Sequence, residues 1–378
     1  DKGHIRLDKY AGWYSVRDEA FFTETELVDG KAPTGAPVEW VEEPSYFFAL
    51  SKWQQPLLDY YEAHPDFIAP AGRLNEIKSF VKGGLKDLSI SRTTFDWGVP
   101  VPNDDDHVMY VWLDALTNYL TALDWHNDGA DYATYWPCDL HMVGKDILRF
   151  HAVYWPAFLM AAGLPLPKRV FAHGWWTNEG EKISKSIGNV IDPLALIDKY
   201  GLDQTRYFLL REVPFGRDGD FSESAMIART NSDLANDLGN LSQRTLSLVV
   251  KNCDGILPAL PANISGDDAA LLVAIDGLLE KVRAEFDQQA FHEGLRLIWE
   301  VIAAANRYID IQAPWALKKT DITRMGEVLA IIVETIRQIA ILVQPVMPES
   351  ATKLLDQLKV PHDERSFDVV EGAARITA

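Results

Sequence analysis

The feature that most constrains this chain is a change of pattern at Ser222. Before it, short runs of β-forming residues alternate with helical segments. After it strand signals vanish and apolar residues recur at helical spacing: Leu234, Leu238, Leu241 and Leu248, then Leu271 to Phe286, then Leu295, Ile298 and Ile302, then Val328 to Val343. Helices with an apolar stripe must bury it, and short connections between them give a bundle. The expected fold class is therefore α/β plus all-α, a strand-and-helix part followed by an α-helical bundle. The 378 residues suffice for two or three domains with cores of their own.

Composition narrows the function. With 47% hydrophobic and 24% charged residues the chain reads as soluble and globular. A net charge of −19 argues against non-specific nucleic-acid binding over the whole surface, and leaves room for a local site for one RNA. The most apolar run, Val328 to Val343, carries Glu334, Arg337 and Gln338, so it reads as a core helix and no membrane is expected as a partner. Cys138 and Cys253 make no disulfide framework and suit a reducing cytosol, so a cytoplasmic location is expected.

Three stretches of the first part carry chemistry. Val108 to Leu113 reads as a buried parallel strand that Asp114 turns into a helix. Trp112 then ends the strand, while Ala115 and Tyr119 share a helix face, so the three meet in a crevice at a strand's carboxyl end. Asp139 to Val143 reads as the next strand, and Gly144-Lys145-Asp146-Ile147 turns it into a helix running to about Ala162. Gly144 lets the backbone approach a ligand, the helix start favours anionic groups, and Asp146 is placed for a ribose hydroxyl or an amino group. Ile147 and His151, four apart, fit a pocket wall. The third stretch is Lys182-Ile183-Ser184-Lys185-Ser186, after the apolar run Arg169 to Trp176 and before a helix opening near Asp192-Pro193. Its two ammonium groups and two hydroxyls suit a polyphosphate. A solvated lysine loop is the other reading of those five residues alone. Asp218 to Phe221 reads as a turn.

Lys182 to Ser186 resembles the K-M-S-K-S signature of class I aminoacyl-tRNA synthetases, with Ile for Met. The pattern W-x-D-A-x-x-x-Y from Trp112 and G-K-D-I-x-x-F-H from Gly144 is similar to that of the methionyl-tRNA synthetase family, and the resemblance covers nearly the whole chain. It implies a methionine–tRNA ligase that takes methionine, ATP with Mg2+, and tRNA(Met). It implies methionine contacts for Trp112, Ala115, Tyr119, Ile147 and His151, with Leu116 where many relatives have Pro. It implies ATP contacts for Arg92, Gly144, Asp146, Lys182, Ser184 and Lys185, of which Lys182 and Lys185 are catalytic. Lys145 is open between a phosphate contact and plain exposure. The implied organisation is a connective insertion module at 1–90, the second half of a class I Rossmann-type parallel-sheet catalytic domain at 91–172, a stem-contact fold with the lysine loop at 173–227, and an α-helical anticodon-binding domain at 228–378.

Within the insertion module, Gly12 to Phe22 and Val38 to Val41 suggest strands, Gly30 to Pro37 suggests turns, and Ser45 opens a helix. Zinc-bearing relatives have C-x-x-C where this chain has Ser15-Val16-Arg17-Asp18, and a second ligand pair near Lys31 to Pro37, which holds no Cys or His. Tetrahedral zinc needs thiolate or imidazole ligands, so no zinc is expected. In the helical part, Asn240 and Arg244 project together, four apart. Asn can pair with a base edge and Arg can add a fork or stack. Trp315, at a corner made by Pro314, can stack on an unpaired base. The resemblance implies anticodon binding for all three.

The H-I-G-H signature of the family appears nowhere in the sequence, which begins at Asp1. The chain is expected to be the C-terminal portion of a longer enzyme, with the N-terminal segment of the same enzyme as an obligatory partner. Two rivals stand beside this reading: another class I synthetase, such as a valyl, leucyl or cysteinyl enzyme, and a tRNA-binding protein without catalysis.

Overall fold

A long ribbon leads the N-terminal part. β1 (Ile5–Ser15) pairs antiparallel with β3 (Glu39–Phe48), and β2 (Ala20–Phe22) closes the ribbon's far end. The structure, a computed structural model, describes every residue except 1, 19, 23, 128, 184–187, 265, 373–374 and 376–378. The chain divides into two units, Asp1–His173 and Gly174–Ala378. Ser45 does not open a helix. It lies within β3, opposite Asp8, and its hydroxyl sits 2.6 Å from Ser89 Oγ and donates to the Ser91 carbonyl at 3.0 Å. That hydroxyl is used inside the sheet and is not free to cap a helix. At the ribbon's tip Ser15 Oγ donates to Asp18 at 3.0 Å, and Thr34 Oγ1 donates to the same carboxylate at 2.5 Å. The two turns that face each other there are fastened by hydrogen bonds.

After the ribbon come α1 (Gln54–Ala63), β4 (Ile68–Ala69), α2 (Ala71–Lys82), β5 (Leu88–Ser89) and β6 (Ser91–Arg92). β7 (Pro100–Val101) and β8 (Asp104–Met109) form a hairpin whose turn residue Asn103 takes a left-handed φ of 67°. β8 pairs antiparallel with both β6 and β7. The expected parallel strand at Val108 to Leu113 is thus corrected. The strand ends at Met109, and α3 (Val111–Thr121) has already begun when Trp112 is reached. The Pro100-to-Asn103 turn folds the strand back on itself, and a hairpin partner enforces an antiparallel ladder.

The parallel sheet is built further on. α4 (Ala130–Tyr135) leads to β9 (His141–Gly144), α5 (Trp155–Ala162) and β10 (Val170–His173). The sheet runs β4-β10-β9, both pairings parallel, and among the described residues β9 is an open edge. Phe48, Leu57, Tyr61, Phe67, Ile77, Val81, Val143 and Val170 are buried around it. Leu116 and Leu120 of α3 pack separately with Trp136, Trp155 and Leu159.

In the second unit β11 (Trp176–Asn178), β12 (Glu181–Lys182) and a later strand form a small sheet. α6 (Pro193–Tyr200) and α7 (Leu202–Arg211) intervene before that strand, β13 (Gly219–Phe221). The turn expected at Asp218 to Phe221 is therefore a strand from Gly219, parallel to β11. Likewise the apolar run to Trp176 is not one strand: it breaks between His173 and Trp176. A Cβ on Gly174 would sit 2.2 Å from the Arg217 carbonyl oxygen, so the two backbones approach only through glycine.

From Ser222 on the unit is helical, as the periodicity requires: α8 (Glu223–Arg229), α9 (Asn240–Asn252), α10 (Gly266–Asp276), α11 (Leu278–Asp287), α12 (Phe291–Gln312), α13 (Pro314–Leu317), α14 (Ile322–Val343) and α15 (Pro348–Gln357). α14 is buried almost throughout. Its polar residues bond one another: the Arg337 guanidinium pairs with Glu334 at 2.8 Å, and Gln338 donates to Glu334 at 2.7 Å. Among the described residues no helix is long and apolar enough to cross a membrane.

Candidate active site

In the first unit the crevice expected from the sequence is framed by α3 and the helix that follows β9, which meet beside that strand. α3 supplies Trp112, Ala115 and Tyr119, three and four residues apart and so on one face. The helix after Gly144 supplies Ile147, Phe150 and His151. Between Phe150 and Tyr154 it winds more widely, with i→i+5 bonds, a form common at functional sites. Tyr119 and His151 meet: OH to Nε2 is 2.8 Å, and His151 Nδ1 lies 3.0 Å from the Ile147 carbonyl. A carbonyl only accepts, so Nδ1 carries the hydrogen and the Tyr119 hydroxyl donates to Nε2. Trp112 stacks on Phe150 with centroids 3.9 Å apart and planes at 19°. A Cβ on Gly144 would fall 2.5 Å from Asp146 Oδ1, so glycine leaves room for that carboxylate to fold back over the strand end.

Two imidazoles are buried here, His151 in the wall and His141 behind it at the start of β9, with 2% and 5% of their surface exposed. Burial, and then the neighbouring His151, lower His141 to about 4, and burial also lowers His151. Burial pushes the neighbouring Cys138 thiol up to about 11. The crevice floor is therefore aromatic, polar and uncharged at neutral pH.

Arg92 is held within its own sheet region. Its guanidinium donates to Ser89 Oγ at 2.8 Å and to the Ser91 carbonyl at 2.7 Å, and lies 4.6 Å from the centre of the Tyr110 ring. Glu43, buried, is 3.9 Å away.

In the second unit the lysine loop has a pinned neck. Asn189 Nδ2 donates to the Lys182 carbonyl and Asn178 Nδ2 to the Asn189 carbonyl, each at 3.0 Å. Lys182 Nζ lies 5.5 Å from the centre of the Trp175 ring. Ser184 and Lys185 fall outside the described residues.

The helical bundle brings Arg244 and Trp315 together. Arg244 lies over the indole, 5.3 Å from its centre, and donates to Asp310 at 2.7 Å. Trp315 is 43% exposed, which leaves part of the ring for a further stack. The corner that presents it is Ala313, with a left-handed φ of 43°, followed by Pro314. Asn240, exposed, is one turn before Arg244 on α9.

The pattern of "tRNA synthetases class I (M)" matches residues 25–246, and that of the "Anticodon binding domain of methionyl tRNA ligase" matches 260–377. The methionine–tRNA ligase of Brucella suis is 60% identical over 370 residues, 97% of this chain and 72% of that protein. The chain belongs to the class I methionyl-tRNA synthetases. The methionine–tRNA ligase of Rhizobium meliloti is 57% identical, across 100% of this chain and 74% of its own length. A solved structure of Mycobacterium tuberculosis methionyl-tRNA synthetase in complex with methionyl-adenylate superposes with a TM-score of 0.93 at 57% identity, covering 100% of this chain and 75% of that one. The function is that of a methionine–tRNA ligase. The fold is a mixed α/β class I synthetase catalytic domain with a parallel sheet, followed by a helical anticodon-binding domain. The rival reading of a valyl, leucyl or cysteinyl enzyme gives way to this family.

The synthetase crevice and the helical bundle also contain residues that sequence reasoning passed over. Phe150 lies on the G-K-D-I-x-x-F-H motif three residues after Ile147, so its helical position was a usable signal. Asp310, the partner of Arg244, is 66 residues away in the chain and gave none. His141 gave none either, because one histidine at a strand start is usually structural.

The buried histidines make a measurable prediction. His141 has an ordinary value of 6.5 and a folded value of about 4. Between these the unfolded chain binds a proton that the folded chain does not, so stability falls as pH drops from 6.5 to 4 and this contribution levels off below. The gap amounts to about 3 kcal/mol. Urea midpoints measured across that window should fall more steeply for the wild-type chain than for His141→Phe. Equal slopes would contradict the assignment.

Proposed function

We propose that Trp112, Ala115, Tyr119, Ile147 and His151 bind methionine in the crevice beside β9, with Gly144 and Asp146 on the nucleotide side. The observation that supports this most is the Tyr119–His151 hydrogen bond, which ties two helices into one uncharged aromatic wall. Such a wall suits a thioether, since each sulfur–ring contact contributes roughly 0.3–1.5 kcal/mol. In this reading the methionine carboxylate oxygen attacks the α-phosphorus of Mg·ATP in line. The bond to the bridging oxygen breaks, and pyrophosphate leaves with the electron pair. Lys182 and Lys185 neutralise the charge that grows on the phosphates. A terminal ribose hydroxyl of tRNA(Met) then attacks the methionyl carbonyl, loses its proton and releases AMP. Positioning and electrostatics do most of the work, because little covalent chemistry is asked of the protein. For Arg92 to reach a phosphate it would first have to leave Ser89 and Ser91.

The proposal extends to the organisation of the chain. Residues 1–90 act as the connective module, 91–172 as the second half of the Rossmann-type domain, 173–227 as the stem-contact fold and 228–378 as the anticodon-binding domain. Methionine activation depends on a segment carrying H-I-G-H, which this sequence does not contain. The open edge of β9 supports this, since parallel strands are normally flanked on both sides. A cytoplasmic setting suits the free Cys138 and Cys253.

Zinc does not fit the ribbon tip. Ser15, Asp18 and Thr34 already bond one another there, and a hydroxyl pair with one carboxylate lacks the donors a tetrahedral site needs. Elemental analysis of purified protein should give well under one zinc per chain. A stoichiometric zinc lost on changing Asp18 would refute this.

The anticodon reading rests on Arg244 and Trp315, with Asn240 beside them. Trp315→Ala should weaken aminoacylation while methionine-dependent pyrophosphate exchange stays near wild type, and the loss of one stacked base corresponds to roughly 1–3 kcal/mol. Parallel loss of both steps would instead indicate damaged folding.

A further inference from the structure

Tyr119 and His151 come from different helices, so their hydrogen bond holds only while both rings are fixed in place. His141 stands behind both. It is the first residue of β9, with its amide donating to the Arg169 carbonyl at 2.8 Å and its Cα in register with Val170. The backbone under this ring is thus held in the parallel sheet. The imidazole lies 4.2 Å from the Tyr119 ring at 49° and 5.7 Å from the His151 ring at 64°. On its other sides are Trp136, 6.1 Å away, and Cys138, whose Sγ is 3.7 Å from Nε2. That weak contact helps to orient the ring.

We propose that His141 is a positioning residue for amino-acid selection: its imidazole braces Tyr119 and His151 from the sheet, and so sets how long a thioether side chain the crevice accepts. This deepens the methionine-pocket reading above and rests on it. The need for a brace follows from the substrate. An apolar pocket gains only about 1–3 kcal/mol of discrimination per methylene, so rejecting a longer homologue depends on a wall that does not yield. An aromatic wall backed by empty space can retreat, because a ring turns about its own side-chain bonds. A ring seated on a strand prevents that. His141 makes no contact with substrate in this account and acts through Tyr119 and His151.

The test compares methionine with ethionine, its S-ethyl homologue, in pyrophosphate exchange by the active enzyme. His141→Ala should raise KM for methionine about tenfold and lower the preference for methionine over ethionine about tenfold, with KM for ATP held within about twofold. His141→Phe, which restores a ring without the nitrogens, should recover most of that preference. Unchanged KM and preference in His141→Ala would overturn the proposal. So would a parallel loss of methionine and ATP binding with a lowered melting temperature in both variants, because that is the mark of a merely structural residue. His151→Ala serves as the control. If it leaves KM for methionine unchanged, the pocket reading itself fails, whatever His141 does.

Discussion

Lys185→Ala is expected to slow methionine activation by about 10²- to 10³-fold while KM for methionine barely moves. The reaction spreads new negative charge over the departing pyrophosphate, and a positioned ammonium gains most where that charge is greatest. An interaction made only in the transition state appears in kcat, not in ground-state binding of the amino acid. The residues assigned to methionine are on α3 and the helix after β9, and Lys185 is not among them. Its neighbour Lys182 closes β12, beside the pinned neck of the loop, and rests over Trp175. Exchange kinetics of the variant check the expectation. A raised KM for methionine with kcat intact would assign the lysine to binding alone.

His151→Ala is expected to act in the opposite way. It removes the acceptor for the Tyr119 hydroxyl, and a half-buried donor left unsatisfied costs about 1–3 kcal/mol, which is roughly 5- to 150-fold in KM for methionine. Tyr119→Phe removes the donor instead and should cost less. The double variant should fall short of the product of the two, since both act on one hydrogen bond. Steady-state KM values for the three variants decide it; strictly multiplicative effects would mean that the two residues work independently.

The crevice was legible in the sequence only where helical spacing governs. Tyr119 sits four residues after Ala115, and His151 four after Ile147, and both pairs share a face as that spacing demands. Trp112 was placed at the end of a parallel strand because Val108 to Leu113 is apolar throughout. A hairpin turn at Asn103 and an early helix start at Val111 outweighed that pattern. Ser45 reads as a helix start because apolar Phe48, Leu50, Trp53, Leu57 and Leu58 follow it, whereas its hydroxyl is held by Ser89 and Ser91 from a distant part of the chain. Local rules cannot see such a partner. The same holds for Asp310 beneath Arg244 and for His141 behind Tyr119, both of which depend on tertiary pairing. The helical part was easier to read, because an apolar period of 3.6 sustained over α12 and α14 admits few other structures.

This chain is expected to select methionine for adenylation. Amino-acid-dependent pyrophosphate exchange tests it most directly, run across the protein amino acids with the 378-residue chain alone and then with a segment carrying H-I-G-H supplied. The account predicts no exchange from the chain alone, and exchange with methionine only once the segment is present, weakened when His151 is alanine. Substantial exchange by the chain alone would contradict the dependence on H-I-G-H. Exchange driven by another amino acid, or by methionine equally well in His151→Ala, would contradict the pocket.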